Sequence, residues 1–287
     1  MTMAIRSSML ATFAGPQART AEVRLFLAGT AEAMHALTVA IDAARAAGAL
    51  LLEFARGDLA ISEKGTRGDL VTAADRASEA LIVERLRAAT PHATILGEES
   101  GSTTGTSDER WIVDPLDGTT NYAHGYPIYC VSIAYEVAGE MAAGVVYAPA
   151  LGELYAAERG GGTTCNGVRV TVSDLSRVAD SLVCTGFKPA NYDRNGEYFA
   201  RLSRVAQGVR RDGAAALDLA FVAAGRFEAF WEYDLAPWDI AAGSLLVREA
   251  GGRVSAIDGS AFRIDGVSTL ATNGRVHDEM IGELEVR

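Results

Sequence analysis

The chain has 287 residues, enough for one large domain or two smaller ones, and 49% hydrophobic residues supply a core without covalent staples. A formal net charge of −11 without any local run of Lys or Arg argues against nucleic-acid partners, and no stretch reaches the roughly 18 apolar residues of a membrane span. Cys130, Cys165 and Cys184 are an odd, widely spaced set with no C-x-x-C pair, which argues against a disulfide framework or zinc site and fits reduced thiols in the cytoplasm.

Residues 1–33 read as an N-terminal extension. Arg6, Arg19 and Arg24 with Ser7, Ser8 and a Gly15-Pro16 break faintly echo a targeting segment, but the apolar stretch and cleavage site of a secretory signal are missing. A start at Met34 or a short extra helix accounts for the same residues. From Leu37 to Ala55 apolar residues recur at helical spacing (Leu37, Ala40, Ile41, Ala44, Leu51, Leu52), predicting an amphipathic helix that ends near Gly57. A second helix follows "DLVTAAD", where Thr72 and Asp75 have capping-box spacing, and stops at Pro91.

Short β-type runs come next: "ATILG", "WIVD", "IYCVSIAYE", "AAGVVYAP", "ELYAAE" and, after the Asn166-Gly167 turn signal, "VRVTVS". Residues 34–175 therefore read as an α+β half with a mostly antiparallel sheet behind two helices. From 176 to 287 the rhythm changes to alternating strands and helices: "SLVCTG", a helix through Tyr198 to Val205, "GVRR", a helix Ala214 to Ala224, "FEAFWE", a helix from about Asp239 to Gly251-Gly252, two more strands and a final helix.

The segment "WIVDPLDGTTNY" holds two carboxylates, Asp114 and Asp117, at the mouth of an apolar strand. Like charges so placed resist ionisation unless a cation sits between them. Other acids stand in positions with ordinary readings as caps or loops: Glu98 and Glu99 in "GEES", Asp75 and Asp239 each in the first turn of a predicted helix. An all-oxygen set of this kind suits Mg2+. His35, His92, His124 and His277 are scattered without metal-ligand spacing. No G-x-S-x-G or Walker A sequence suggests a covalent intermediate or P-loop, and "RGGGTTCNG" reads as a strand-connecting turn.

Taken together, Lys64 ten residues ahead of Asp75, "GEES", "WIVDPLDGTTNY", "GAAALDLAFVAAG" and "PWDIAAGSLLVREAGG" resemble the inositol monophosphatase family of Mg2+-dependent, Li+-sensitive phosphatases, from about Met34 to the C-terminus. The resemblance implies a layered αβαβα sandwich, a homodimer and two or three Mg2+ ions. It implies Glu98, Asp114 and the Leu116 carbonyl as ligands of one ion and Asp114, Asp117 and Asp239 as ligands of a second, with Lys64 in a supporting place. Catalysis would use a metal-activated water oriented by Thr119, with Asp75 and Glu98 beside it.

The N–H groups of Gly118 and Thr119 would hold phosphate, while Glu232, Asp239 and the segment Gly213, Ala214, Ala215 would line the pocket for a phosphorylated polyol or sugar. Ala214 departs from the family, where Ser or Thr is usual. The implied reaction is hydrolysis of myo-inositol 1-phosphate. Histidinol phosphate, fructose 1,6-bisphosphate and nucleotide 3′-phosphate stay open as alternative substrates, as does a regulatory binding role on the same fold.

Overall fold

The structure, a computed structural model, describes residues 16–56, 61–63, 70–187 and 192–285. It opens with one long helix, α1 (Pro16–Phe54). Gly15 lies outside the described residues; Pro16 is the first described residue of the helix, a place where proline costs no hydrogen bond, and the helix continues through the expected boundary at 33/34. The periodic run predicted from Leu37 is its C-terminal part. There Ala36, Ala40, Ala43, Ala44, Ala47 and Leu51 are buried, and small side chains let the helix lie close to a sheet. At Gly48 an added Cβ would come within 2.3 Å of the Tyr147 ring.

A hairpin of β1 (Ile61–Glu63) and β2 (Leu70–Thr72) leads into α2 (Ala73–Ala89), which ends just before Pro91. An eight-stranded sheet follows. Its strands are β3 (Thr94–Gly97), β4 (Gly101–Thr103), β5 (Glu109–Asp117), β6 (Cys130–Val137), β7 (Glu140–Ala148), β8 (Glu153–Glu158), β9 (Gly162–Cys165) and β10 (Val168–Val170), with α3 (Thr119–Ala123) between β5 and β6. The order is β10-β9-β8-β7-β6-β5-β3-β4, antiparallel except for the β3–β5 pair. Asn166 and Gly167 both have positive φ (49° and 79°), as the two-residue turn joining β9 and β10 requires.

The second sheet has five strands: β11 (Leu182–Thr185), β12 (Gly208–Arg210), β13 (Ala229–Tyr233), β14 (Arg253–Ser255) and β15 (Ser268–Thr272), in the order β12-β11-β13-β15-β14. Between them run α4 (Tyr192–Val205), α5 (Ala215–Ala223) and α6 (Pro237–Glu249), and α7 (His277–Leu284) follows β15. Helix α6 starts two residues ahead of the expected Asp239 because Pro237 opens it, and Gly251 (φ 91°) follows its end.

Three cores separate the layers. Trp111, Val113, Val131 and Ile133 pack against α1 and α2 on one face of the large sheet. Ile112, Ala134, Val146, Phe230 and Ala271 enclose α5 and α6 between the two sheets. Trp231, Leu270 and Val183 face α4 and α7 on the far side. The result is α1α2, sheet, α5α6, sheet, α4α7: the expected αβαβα sandwich, with helices α5 and α6 buried on both sides.

Candidate active site

Strand β5 carries the first two acids. Its alternation sends Trp111 and Val113 toward α1 and α2 and Ile112 toward α5 and α6, so Asp114 points into the α5/α6 layer. An uninterrupted strand would turn Asp117, three residues on, to the opposite face. The register to β6 shifts between Asp114 and Asp117 instead. Leu116 then packs with the α1/α2 core, and Asp117 Oδ2 accepts the N–H of Ala216 in α5 at 2.7 Å. Pro115 sits at this irregularity, where its missing N–H costs no ladder bond. Its carbonyl accepts the Ser78 hydroxyl at 2.9 Å, and the Leu116 N–H closes onto Asp114 Oδ1 at 3.0 Å.

The other carboxylates arrive from separate elements. Gly97 of β3 is paired in parallel with Val113, and the Glu98 N–H donates to the Val113 carbonyl at 3.2 Å, which sets Glu98 beside Asp114. Asp239 lies in the first turn of α6, its Oδ2 accepting the Ala236 N–H at 2.8 Å. Asp114 is 2% exposed. Burial first, then the charges of Glu98, Asp117 and Asp239, hold its carboxyl well above the usual range. Burial and Asp239, with a smaller push from Glu98, raise Asp117 to about 8 against the opposing Ala216 N–H. Acids that raise one another in this way are held together at an electrostatic cost that a cation would remove, and a donor set of carboxylates with a neighbouring carbonyl fits a hard divalent ion such as Mg2+.

Thr119 opens α3. Its Oγ1 lies 3.1 Å from Asp75 Oδ1 in α2 and 3.0 Å from the Leu116 carbonyl oxygen, and one hydroxyl proton can serve only one of them at a time. Gly118, at φ 90°, caps this short helix; an added Cβ would stand 2.8 Å from the Ile128 carbonyl oxygen and 3.2 Å from the Ala214 methyl. The close approach of Ala214 brings the Gly213–Ala215 segment to the Asp117–Thr119 turn. Asn121 fixes it there, donating from Nδ2 to the carbonyls of Ile128 and Asp212, both at 2.7 Å.

Glu232 on β13 is buried, at 5% exposure. Its carboxylate leans over the end of β11, where a Cβ on Gly186 would come within 2.2 Å of Oε2. Lys64 lies outside the described residues. Ser78, Asn121 and Cys130, whose thiol reaches Asp117 Oδ2 at 3.7 Å, were not among the sequence candidates. Ser78 had a usable signal, since it is three residues after Asp75 and shares its helix face; the other two act across the fold.

Residues 33–286 match the inositol monophosphatase family, and the chain belongs to that family. An inositol-1-monophosphatase of Mesorhizobium japonicum is 46% identical over 243 residues, covering 83% of this chain and 91% of that protein. Among solved structures, the extragenic suppressor protein suhB of Bartonella henselae superposes with a TM-score of 0.84 at 40% identity, over 87% of this chain and 98% of that one. An IMPase/NADP phosphatase complexed with Mg2+ and phosphate gives a TM-score of 0.72 at 28% identity, over 80% and 87% of the two chains.

Proposed function

We propose that this chain is a Mg2+-dependent phosphomonoesterase that hydrolyses inositol monophosphate. The observation that carries the reading is the convergence on buried Asp114 of Glu98, Asp117 and Asp239, three acids brought by three different elements of the sandwich. Glu98, Asp114 and the Leu116 carbonyl would hold one ion, and Asp114, Asp117 and Asp239 a second. Bound there, Mg2+ supplies a Lewis acid for phosphate oxygens and lowers the pKa of a water.

The chain's own residues do the positioning. When the Leu116 carbonyl is engaged elsewhere, the Thr119 hydroxyl donates its hydrogen bond to Asp75, and its lone pairs accept a hydrogen bond from the attacking water and aim the water oxygen. Asp75 is fully buried, so it holds this orientation without competition from solvent. The Gly118 and Thr119 N–H groups, at the turn where only glycine fits, face the phosphate. Glu232 accepts hydrogen bonds from ring hydroxyls of the substrate.

The membership and the 46% identity to a named inositol-1-monophosphatase support the substrate assignment. Among the described residues no helix is long and apolar enough to cross a membrane. The test is phosphate release from a panel of monophosphates with Mg2+ and with excess chelator. Preference for inositol 1-phosphate and loss in chelator are expected. Full activity in chelator would overturn the metal assignment, and preference for another monophosphate the substrate.

A further inference from the structure

Helix α2 presents three polar residues on one face, Asp75, Ser78 and Glu79, all buried. Asp75 takes the Thr119 hydroxyl and Ser78 holds the Pro115 carbonyl. Glu79, 4% exposed, does something different. Its two carboxylate oxygens accept consecutive backbone N–H groups: Oε2 from Glu99 at 2.8 Å and Oε1 from Ser100 at 2.7 Å. Residues 98–100 are the whole loop between β3 and β4, closed by the Gly97–Gly101 pair. Successive N–H groups in such a loop form an anion-binding concavity, and here a side chain of the protein fills it.

We propose that Glu79 is a positioning residue that sets the metal affinity of the site by fixing Glu98. The proposal rests on the reading of Glu98 as a metal ligand. Glu98 is clamped from both sides: its own N–H is tied to Val113, next to Asp114, and the two residues after it are tied to Glu79. Without Glu79 the N–H groups of half-buried Glu99 and exposed Ser100 lose their acceptor, and the loop turns them toward water and relaxes away from Asp114.

Gly97 belongs to the same device. A Cβ there would come within 2.7 to 2.9 Å of the Glu79 carboxylate. Gly97 is not among the positive-φ residues, so alanine is excluded there by the clamp and not by the backbone. Gly97→Ala thus moves the Glu79 carboxylate while leaving every charge in place. It reaches the same end as Glu79→Gln, which keeps the shape but turns an NH2 toward one of the two N–H donors.

The experiment measures Mn2+ binding by electron paramagnetic resonance and Mg2+ binding by calorimetry on the full chain, alongside kcat, KM and the Mg2+ concentration for half-maximal rate. Outer partners of a metal ligand are worth about 10- to 100-fold in metal affinity. Glu79→Gln and Gly97→Ala are each expected to weaken metal binding by about tenfold, with kcat largely restored and KM unchanged at saturating Mg2+. Their effects should not add in the double variant, because both act through one carboxylate.

Variants that are less heat-stable but bind metal like the parent would overturn the proposal and leave Glu79 purely structural. Additive losses would overturn it too, since the two changes would then act separately. A parent that binds neither Mn2+ nor Mg2+ would overturn the metal reading itself, and this inference with it.

Discussion

The Thr119 hydroxyl stands between the Asp75 carboxylate and the Leu116 carbonyl, 3.1 and 3.0 Å from them, although Asp75 is 44 residues away in the chain. A helix that buries an acid to hold one threonine does so for the orientation of that hydroxyl. Thr119→Ala is therefore expected to lower kcat by about 10²-fold or more, the scale of positioned proton-transfer help, with a smaller effect on KM. Thr119→Ser should retain most of the rate. A change confined to KM would make Thr119 a phosphate-binding residue only.

The mutual repulsion at Asp114 predicts a trade between stability and activity. Its carboxyl is burdened by burial and by Glu98, Asp117 and Asp239, so Asp114→Asn should make the metal-free protein more stable. The same change should abolish phosphate release and remove the rise in melting temperature that Mg2+ gives the parent. Thermal unfolding with Mg2+ and with chelator measures both. A metal-free variant less stable than the metal-free parent would show that Asp114 is held by its bond from Leu116 more than it is strained by its neighbours.

Much of this site was legible because its residues lie in short contiguous motifs. Singly, the D-P-x-D segment, the first-turn Asp239 and the strand-end Glu98 read as ordinary turns, caps and loops, and only the resemblance of the joined motifs to the family ties them to one site. What the pattern did not carry was the face on which Asp117 would lie. Simple alternation places it opposite Asp114, and only the shifted pairing with β6, centred on Pro115, brings the two together. The burial of Glu232 has no local signal either, because it depends on Gly186, just past the end of neighbouring β11 and 46 residues earlier. The clamp of Glu79 on the Glu99 and Ser100 N–H groups spans 20 residues and involves backbone donors, which leave no side-chain signature at all.

His277 gives a prediction about acid. It is fully buried at the start of α7, with Nε2 2.9 Å from Ser255 Oγ and Nδ1 2.9 Å from Thr272 Oγ1. Burial first, then Arg253 on β14, lower its pKa to about 4, with Asp278 opposing. A folded value below the unfolded 6.5 means that the unfolded chain binds the proton more readily. The stabilisation is complete above pH 6.5 and is lost as the pH falls from 6.5 toward 4, by up to about 3 kcal/mol. Urea unfolding of metal-free parent and His277→Asn between pH 7.5 and 4.5 should show the parent losing its advantage across that window. Parallel curves would remove His277 from the acid response.

The choice of substrate rests most directly on Glu232. It is a buried carboxylate, wedged where Gly186 leaves no side chain in its way, and a substrate without vicinal hydroxyls would not supply the hydrogen bonds that a ring gives it. Buried polar groups discriminate strongly against a ligand that lacks their partners. Glu232→Gln is expected to lower kcat/KM for inositol 1-phosphate by about tenfold to a hundredfold, the roughly 1.4 to 2.7 kcal/mol of a hydrogen bond to a charged group. 2-Glycerophosphate, which engages the pocket less, should be affected much less. The quantity to compare is the ratio of the two kcat/KM values in variant and parent at saturating Mg2+, so that metal affinity does not enter. An equal fall for both substrates would make Glu232 a support for the β11–β13 edge and leave selectivity elsewhere. Ala214 is then the next position to change, because its methyl already touches the space over Gly118 and Ala214→Ser would add there the hydroxyl that the resemblance to the family implies. A gain in inositol preference from that single oxygen, without a change for 2-glycerophosphate, would locate the selectivity at the residue capping α5 and not on β13.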